Sequence, residues 1–121
     1  MPIETDAAAI VQRQLDAYNR RDIEALLATY AADAELYEHP STLLASGAAA
    51  LRERFTARLQ EPNLYAHLLS RMVMGQTVID HEEVLRTFPE GSGRLRLIMI
   101  YEVRGDRIAR AWSIAGTKTL D

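Results

Sequence analysis

The sequence predicts an α+β fold in which helices cover one face of a curved antiparallel sheet. Apolar residues recur at helical spacing through roughly the first sixty positions, and they alternate with polar residues through roughly the last fifty. Helices and strands segregated along the chain in this way are typical of an α+β fold rather than a βαβ fold. The 121 residues suffice for one core, so we expect a single domain over residues 1–121 that encloses a pocket.

Three helices are expected in the first half of the chain. Thr5 or Asp6 can cap the first helix, and Asp22 can cap the second. The third opens at Ser46 and ends before Pro62. The expected helices are Asp6–Asn19, Asp22–Tyr30 and 46–59.

The apolar period changes to two after residue 63, which indicates strands. Gly75-Gln76 and Gly105-Asp106 are candidates for tight turns between them. A short strand before the third helix is ended by Pro40. The expected strands are Ala34–His39, Leu64–Met74, Thr77–Phe88, Leu95–Val103 and Arg107–Ala115.

The turn register decides which side chains of the first hairpin point into the pocket. With a two-residue turn at Gly75-Gln76, Met74 pairs with Thr77. Ser70 then pairs with His81. One face becomes apolar, and we expect it to pack on the helices. The apolar set is Leu64, Ala66, Leu68, Met72, Met74, Ile79 and Leu85.

Two titratable residues share that expected inner face. His81 and Glu83 are candidates for an acid–base pair, or His81 for a neutral donor that polarises a carbonyl group. The structural alternative is a satisfied core histidine, with Glu83 paired to an arginine such as Arg110. If Asp80 and Glu82 face the pocket instead, this register is off by one residue.

The last hairpin is analysed in the same way. A two-residue turn at Gly105-Asp106 pairs Tyr101 with Arg110. It also pairs Met99 with Trp112. A three-residue turn would move Trp112 and Arg110 to the opposite face. The expected inner set is Leu95, Leu97, Met99, Tyr101, Val103, Ile108, Trp112 and Ile114.

The end of the first strand supplies a candidate base. Leu36 is expected to face the core, alternation places Glu38 on the same side, and His39 is the second choice. Burial in an apolar cavity raises the pKa of a carboxylic acid, which would make Glu38 a general base near neutral pH. The structural alternative is a strand-end carboxylate in water.

Composition and charge exclude several classes of function. The net charge of −3 and the interspersed arginines argue against nucleic acid as a partner. The chain has no cysteine, so disulfides and thiolate metal sites are excluded. The start of the chain lacks the pattern of a signal peptide, and no apolar run is long enough to span a bilayer. We therefore expect a cytoplasmic protein that does not interact with membranes.

Four stretches of the chain carry a pattern found in a known family: Ile10 to Ile23, Tyr30 to Pro40, Ser46 to Arg52 and Tyr101 to Ile108. With these stretches the chain resembles the SnoaL-like and ketosteroid isomerase-like group of the nuclear-transport-factor-like superfamily. The resemblance covers nearly the whole length and implies a cystatin-like α+β roll. It does not select one function, because the fold hosts isomerases, cyclases, dehydratases, hydrolases and binding domains.

The resemblance also assigns roles to three positions. The catalytic aspartate of the isomerases falls on Glu38, and their oxyanion-hole tyrosine falls on Gln14. Their second oxyanion donor, a protonated aspartate, falls on or near Met99, which has no such group. The expected catalytic residues are thus Glu38, His81 and Glu83. The expected ligand-binding residues are Gln14, Tyr18, Phe55, Met99, Tyr101 and Trp112.

These residues predict a small cofactor-free enzyme, an isomerase or a related enzyme, that transfers a proton on an apolar, carbonyl-type ligand. The alternative is a non-catalytic binding or dimerisation domain of the same fold. We expect no metal, because His67 and His81 lie on opposite faces of the expected sheet and no pair shows helical ligand spacing. Ile98 and Ile100 fall on the outer sheet face, which predicts a homodimer built sheet to sheet.

Overall fold

Within residues 6–121, the helices lie in the first half of the chain and most of the strands lie in the second half. The computed structural model describes residues 6–121 and confirms the α+β class. The helices within that range are α1 (Ala7–Arg20), α2 (Ile23–Ala28) and α3 (Ala48–Arg58). The strands within it are β1 (Tyr30–Glu38), β2 (Thr42–Ser46), β3 (Tyr65–Met74), β4 (Thr77–Phe88), β5 (Gly91–Arg104), β6 (Arg107–Ala115) and β7 (Thr119–Leu120).

The helix starts follow from local capping. The Asp6 carboxylate accepts a hydrogen bond from the Ala9 N–H (3.3 Å), and Asp22 accepts one from the Ala25 N–H (3.0 Å). Thr5, the other candidate cap, lies outside the described residues. The second helix ends earlier than expected, because Tyr30 already pairs with β6 as the first residue of β1.

One sheet carries the whole fold, in the strand order β2-β1-β6-β5-β4-β3, with β7 added to β5. The β1–β6 pair is parallel and the other neighbours are antiparallel. The helices pack on one face of this sheet. The core between the layers is centred on fully buried side chains from all three helices and the sheet: Ile10, Val11, Leu26, Leu51, Val78 and Ile108.

A bulge in β3 changes the expected faces of the first hairpin. The pairs Met74–Thr77 and Ser70–His81 are confirmed, but Leu69 is an extra residue between the Ser70–His81 and Leu68–Glu82 pairs. One extra residue moves every following side chain to the other face.

The inner face of this hairpin is therefore divided at the bulge. Ala66 packs inside as expected, whereas Met72 and Met74 are 67% and 82% exposed. On β4 the buried positions are Val78, Asp80, Glu82 and Val84. The expectation that His81 and Glu83 face inward is wrong, and the alternative register, with Asp80 and Glu82 inside, is confirmed.

A second bulge changes the last hairpin. Glu102 pairs with Arg110 and Val103 pairs with Ile108, so Ala109 is an extra residue in β6. The expected pairs Tyr101–Arg110 and Met99–Trp112 are therefore wrong.

Beyond this bulge, the inner positions of β6 are taken by small side chains. Ala111 lies opposite Tyr101 on the inner face, and Trp112 lies opposite Ile100 on the outer face. There the Trp112 ring stacks on Tyr37, with ring centroids 5.8 Å apart. Ile114 also moves outside, whereas Tyr101 and Val103 are buried as expected.

Arg21 ties the end of α1 to the loop that follows α3. It adopts the left-handed backbone conformation (φ 60°) at the helix C-terminus. Its guanidinium donates hydrogen bonds to the backbone carbonyl oxygens of Leu59 (3.1 Å), Glu61 (2.7 Å) and Pro62 (3.0 Å). These bonds hold the helical layer against the start of β3.

Asn19 attaches the same helix directly to the sheet. Its amide nitrogen donates to the carbonyl oxygen of Ala66 (3.0 Å), and its amide oxygen accepts from the Ala66 N–H (2.9 Å). The side chain thus satisfies both backbone groups at the start of β3.

No helix within residues 6–121 has the length and apolar character needed to cross a membrane.

Replacing Arg21 by alanine is expected to lower the free energy of unfolding by about 2 kcal/mol, because several backbone carbonyl groups lose a charged donor. Arg20→Ala is the matched control, since Arg20 is an exposed neighbour on the same helix. Urea denaturation of both variants measures the difference. Equal stabilities of the two variants would contradict the role given to Arg21.

Candidate active site

A cavity of about 250 Å³ lies between the helices and the inner face of the sheet. Its size falls slightly below the usual range of ligand pockets, about 300–1,000 Å³, which favours a small ligand. Exposed side chains such as Glu38 and Arg54 line one end, so the cavity opens to solvent there. Its apolar wall is formed by Leu36, Leu44, Phe55, Val84, Leu97 and Met99.

Glu82 is the buried carboxylic acid of this cavity. Its side chain comes from the inner face of β4 and the residue is only 4% exposed. Burial and, to a smaller extent, the negative charge of Asp80 raise the pKa of Glu82 to about 8, against the opposing effect of Arg71. Among residues 6–121, no side chain or backbone group forms a hydrogen bond or ion pair with the Glu82 carboxyl group, which leaves it available to a ligand.

Asp80, two residues earlier on the same face, is by contrast fully paired. Arg71 donates to both of its carboxylate oxygens, from Nε at 2.7 Å and from Nη2 at 2.9 Å. The remaining guanidinium nitrogen, Nη1, donates to the side-chain oxygen of Gln12 (2.9 Å). Such a bidentate pair compensates a buried charge. Asp80 therefore has a structural role and influences Glu82 through its charge.

A hydrogen-bonded series of polar side chains lies beside Glu82. The Tyr101 hydroxyl donates to the amide oxygen of Gln14 (3.2 Å). Burial raises the pKa of Tyr30 well above its ordinary value, the Glu82 charge adds to this, and a hydrogen bond from Gln14 opposes it. Burial, followed by the Glu82 charge, also raises the pKa of Tyr101. Both phenols therefore remain neutral hydrogen-bond donors at any working pH.

Three arginines stand at the wall of the cavity nearer to α3. Arg86 donates to both carboxylate oxygens of Glu61, at 2.7 and 2.8 Å. Arg58 lies 3.4 Å from the same carboxylate. Arg54 has no ion pair with any residue that the structure describes. At this wall Arg86 and Arg58 share the Glu61 carboxylate, whereas Arg54 has no counter-ion among the described residues.

Most of the ligand-binding residues expected from sequence do line the cavity. They are Gln14, Tyr18, Phe55, Met99 and Tyr101. Glu38 also lines it, at the open end, with an exposed side chain. His39 is exposed and does not contribute to the lining. The structure therefore places Glu38 rather than His39 at the cavity, and its catalytic role stays a prediction.

Three expected site residues lie elsewhere, and the two bulges are the reason. Trp112 is on the outer face of β6. His81 is on the outer side of β4, opposite Ser70 and Ile98. Glu83 shares that outer side and lies 3.6 Å from Arg94 rather than beside Arg110. None of the three can contact a ligand in the cavity.

Two residues at the site lie on a face or in an element other than the one expected from the sequence. Glu82 was placed on the opposite face, and Tyr30 was assigned to a helix. The signal for Glu82 was the alternation of Val78 and Val84 with two acidic residues, since both valines are buried core residues. In the described range, no three histidine or carboxylate side chains lie close enough together to bind a metal ion.

The sequence also matches a known protein family. A family model described as a SnoaL-like domain matches residues 11–111. The chain belongs to this SnoaL-like family. The match confirms the resemblance carried by the helical stretches and by the closing hairpin. No curated protein matches the sequence of this SnoaL-like domain.

Solved structures share the fold of this SnoaL-like domain at low sequence identity. A cystatin-fold protein from Novosphingobium aromaticivorans is similar with a TM-score of 0.83 and 18% identity, over 93% of this chain and 99% of that one. A Sinorhizobium meliloti protein provisionally described as a polyketide cyclase has a TM-score of 0.74 and 23% identity, over 90% and 99% of the two chains.

A third similar structure comes from Catenulispora acidiphila. This protein has a ketosteroid isomerase-like fold and was solved in complex with trimethylamine. It has a TM-score of 0.74 and 15% identity, over 87% of this chain and 83% of that one. The TM-scores establish a common fold, whereas the low sequence identities leave the reaction open.

The raised pKa of Glu82 predicts a pH-dependent stability. The folded-state value of about 8 lies above the ordinary value of 4.5, so the folded protein binds this proton more tightly than the unfolded chain. Its stabilising contribution is complete below the ordinary value and is lost as the pH rises to about 8. Glu82→Gln should therefore gain stability relative to the wild type by roughly 1 kcal/mol per pH unit within this window.

Chemical denaturation at several pH values measures this difference. Glu102→Gln is the control, because Glu102 is exposed on the outer face of β5 and its replacement should leave the pH dependence unchanged. A constant difference between Glu82→Gln and the wild type at all pH values would show that Glu82 titrates normally.

Proposed function

We propose that this SnoaL-like domain binds a small, largely apolar carbonyl compound and transfers a proton on it, with Glu82 as the general base. The observation that supports this most directly is a buried carboxyl group that faces the cavity and has no partner among residues 6–121. Its pKa, raised by burial to about 8, makes the ionised form a stronger base than an ordinary carboxylate.

The proposed step uses side chains alone. The Glu82 carboxylate removes a proton from the carbon next to the carbonyl group, and the C–H electron pair moves into the resulting enolate. The Tyr30 hydroxyl, oriented by Gln14 and beyond it by Tyr101, donates a hydrogen bond to the enolate oxygen. Protonated Glu82 then returns the proton to the same or a neighbouring carbon.

Glu38 is the base that the family resemblance implies. Its side chain is exposed at the open end, whereas the Glu82 carboxyl group lies in the buried part of the cavity, where an apolar ligand would lie. We therefore assign the proton transfer to Glu82, and give Glu38 a place at the rim of the cavity.

Hydrogen–deuterium exchange of the α-protons of 2-tetralone, followed by proton NMR, tests the proposal. Wild-type protein should accelerate exchange, with a rate that rises with pH to a plateau above about 8, because the ionised form is the base. Glu82→Gln should lower the protein-catalysed rate by roughly a hundredfold or more. Glu83→Gln, the neighbour on the outer face, should exchange at the wild-type rate.

Glu38→Gln completes the set of variants. Loss of catalysis in Glu38→Gln with full activity in Glu82→Gln would transfer the role of base to Glu38 and overturn the assignment. A wild-type rate equal to that of Glu82→Gln at every pH would remove the proposed activity altogether.

A second candidate function, dimerisation, is favoured by the outer face of the sheet. Cross-strand pairing places one unbroken row of apolar side chains across six strands. The row runs from β2 to β3 through Leu43, Tyr37, Trp112, Ile100, Ile79 and Met72. Ile98 and Ile114, 37% and 40% exposed, form a pair on the same face. We propose that a second copy of the chain covers this face.

Ile98→Glu is expected to convert a dimer into a monomer, because it places a charge in the apolar interface of each copy. Light scattering coupled to size-exclusion chromatography measures the mass. Thr56→Glu, on the exposed side of α3, is the control and should leave the mass unchanged. A wild-type protein that is monomeric at high concentration would contradict the proposed interface.

A further inference from the structure

We propose that the ligand of the cavity carries a carboxylate, and that Arg54 at the open end binds it. The inference rests on the proposed function only in that the cavity must be a ligand site. It adds the charge of the ligand and the residue that selects it. The proton transfer itself need not occur for this inference to be tested.

The first observation is a cluster of three arginines at the cavity wall. Arg54, Arg58 and Arg86 all line the cavity, and they also line the groove that adjoins it along α3. Both oxygens of the Glu61 carboxylate are engaged, by Arg86 at 2.7 and 2.8 Å and by Arg58 at 3.4 Å. Two exposed carboxylates, Glu38 of the cavity and Glu53 of the groove, make no ion pair with a described residue, so neither is a counter-ion for Arg54.

The second observation concerns Arg54 itself. Within residues 6–121 its guanidinium makes no hydrogen bond and no ion pair, whereas Arg52, two residues earlier, forms a bidentate pair with Glu24. Partial burial lowers the pKa of Arg54, and the charges of Arg58 and Arg86 lower it further. A cation held among other cations without a counter-ion gains most from an anion supplied by a ligand.

The form of the guanidinium and the size of the cavity favour a carboxylate over a phosphate. A planar guanidinium can donate two parallel hydrogen bonds to the two oxygens of a carboxylate. Its single positive charge matches the single negative charge of the carboxylate. A phosphate dianion needs more free donors than the one unpaired arginine offers. The remaining wall, which includes Phe55 and Leu36, is apolar, so the body of the ligand must be apolar as well.

The arrangement also gives the ligand a direction. Arg54 lies at the exposed end of the cavity, and Glu82 lies in its buried part. A carboxylate held at the open end would therefore place the apolar body inside, beside Glu82. Such an anchor at one end of a ligand fixes the position of its reacting part at the other end.

Binding of trans-cinnamate and of cinnamamide, two probes of nearly the same shape that differ in charge, tests the proposal by isothermal titration calorimetry. Wild-type protein should bind cinnamate roughly tenfold or more tightly than cinnamamide. Arg54→Gln should abolish this preference by weakening cinnamate alone, and Arg54→Lys should retain part of it. Arg52→Gln, on the same helix but paired with Glu24 at the surface, should bind both probes like the wild type.

Three outcomes would overturn the proposal: equal affinity of the two probes for the wild type, an unchanged preference in Arg54→Gln, or no binding of either probe. Glu82→Gln separates this inference from the proposed reaction. If Glu82→Gln and the wild type bind cinnamate with the same preference but neither exchanges 2-tetralone protons, the carboxylate site stands and the proton-transfer function fails.

Discussion

Two one-residue bulges, one in β3 and one in β6, determine which side chains of these strands face the helices. Ala66 and Arg71 are five positions apart in β3, so a regular strand would place them on opposite faces, and the extra residue Leu69 allows both to face inward. The same parity argument applies in β6, where Ala109 allows Ile108 and Ala111 to share the inner face. The cavity therefore has small side chains on β6, and the Arg71–Asp80 ion pair lies on the same inner face of β3 and β4.

The electrostatics of the cavity follow from this arrangement. Because Arg71 faces inward, it neutralises Asp80, and that leaves Glu82 as a buried acid beside a compensated charge. A single carboxyl group surrounded by apolar walls and phenols has a raised pKa, whereas two uncompensated carboxylates would be too costly to bury together. The Arg71–Asp80 pair thus stabilises the fold and also makes one reactive group available.

The two surfaces of the sheet differ in chemistry for the same reason. Trp112 would partly fill the cavity if it faced inward, but the bulge places it on the outer face, where it stacks on Tyr37 and completes an apolar row. The inner face keeps Ala111 and Ser113 in the corresponding positions of β6, which leaves space. One irregularity in a strand thereby supports both a cavity and a candidate interface.

The sequence by itself determined the fold class, the family, the approximate order of helices and strands, and most of the cavity wall, including Gln14, Tyr18, Phe55, Met99 and Tyr101. The fold class and the elements follow from local periodicity and from turn and cap residues, which a sequence displays directly, whereas the family follows from the resemblance of particular stretches. Only the tertiary structure decided that Glu82 faces inward, that His81, Glu83 and Trp112 face outward, and that Arg54 has no counter-ion within residues 6–121. A bulge adds one residue without a distinctive local signal in the sequence. Beyond the bulge, each side chain nevertheless faces the side of the sheet opposite to the one that regular alternation predicts. Ion pairs between distant segments likewise depend on packing that no local pattern specifies.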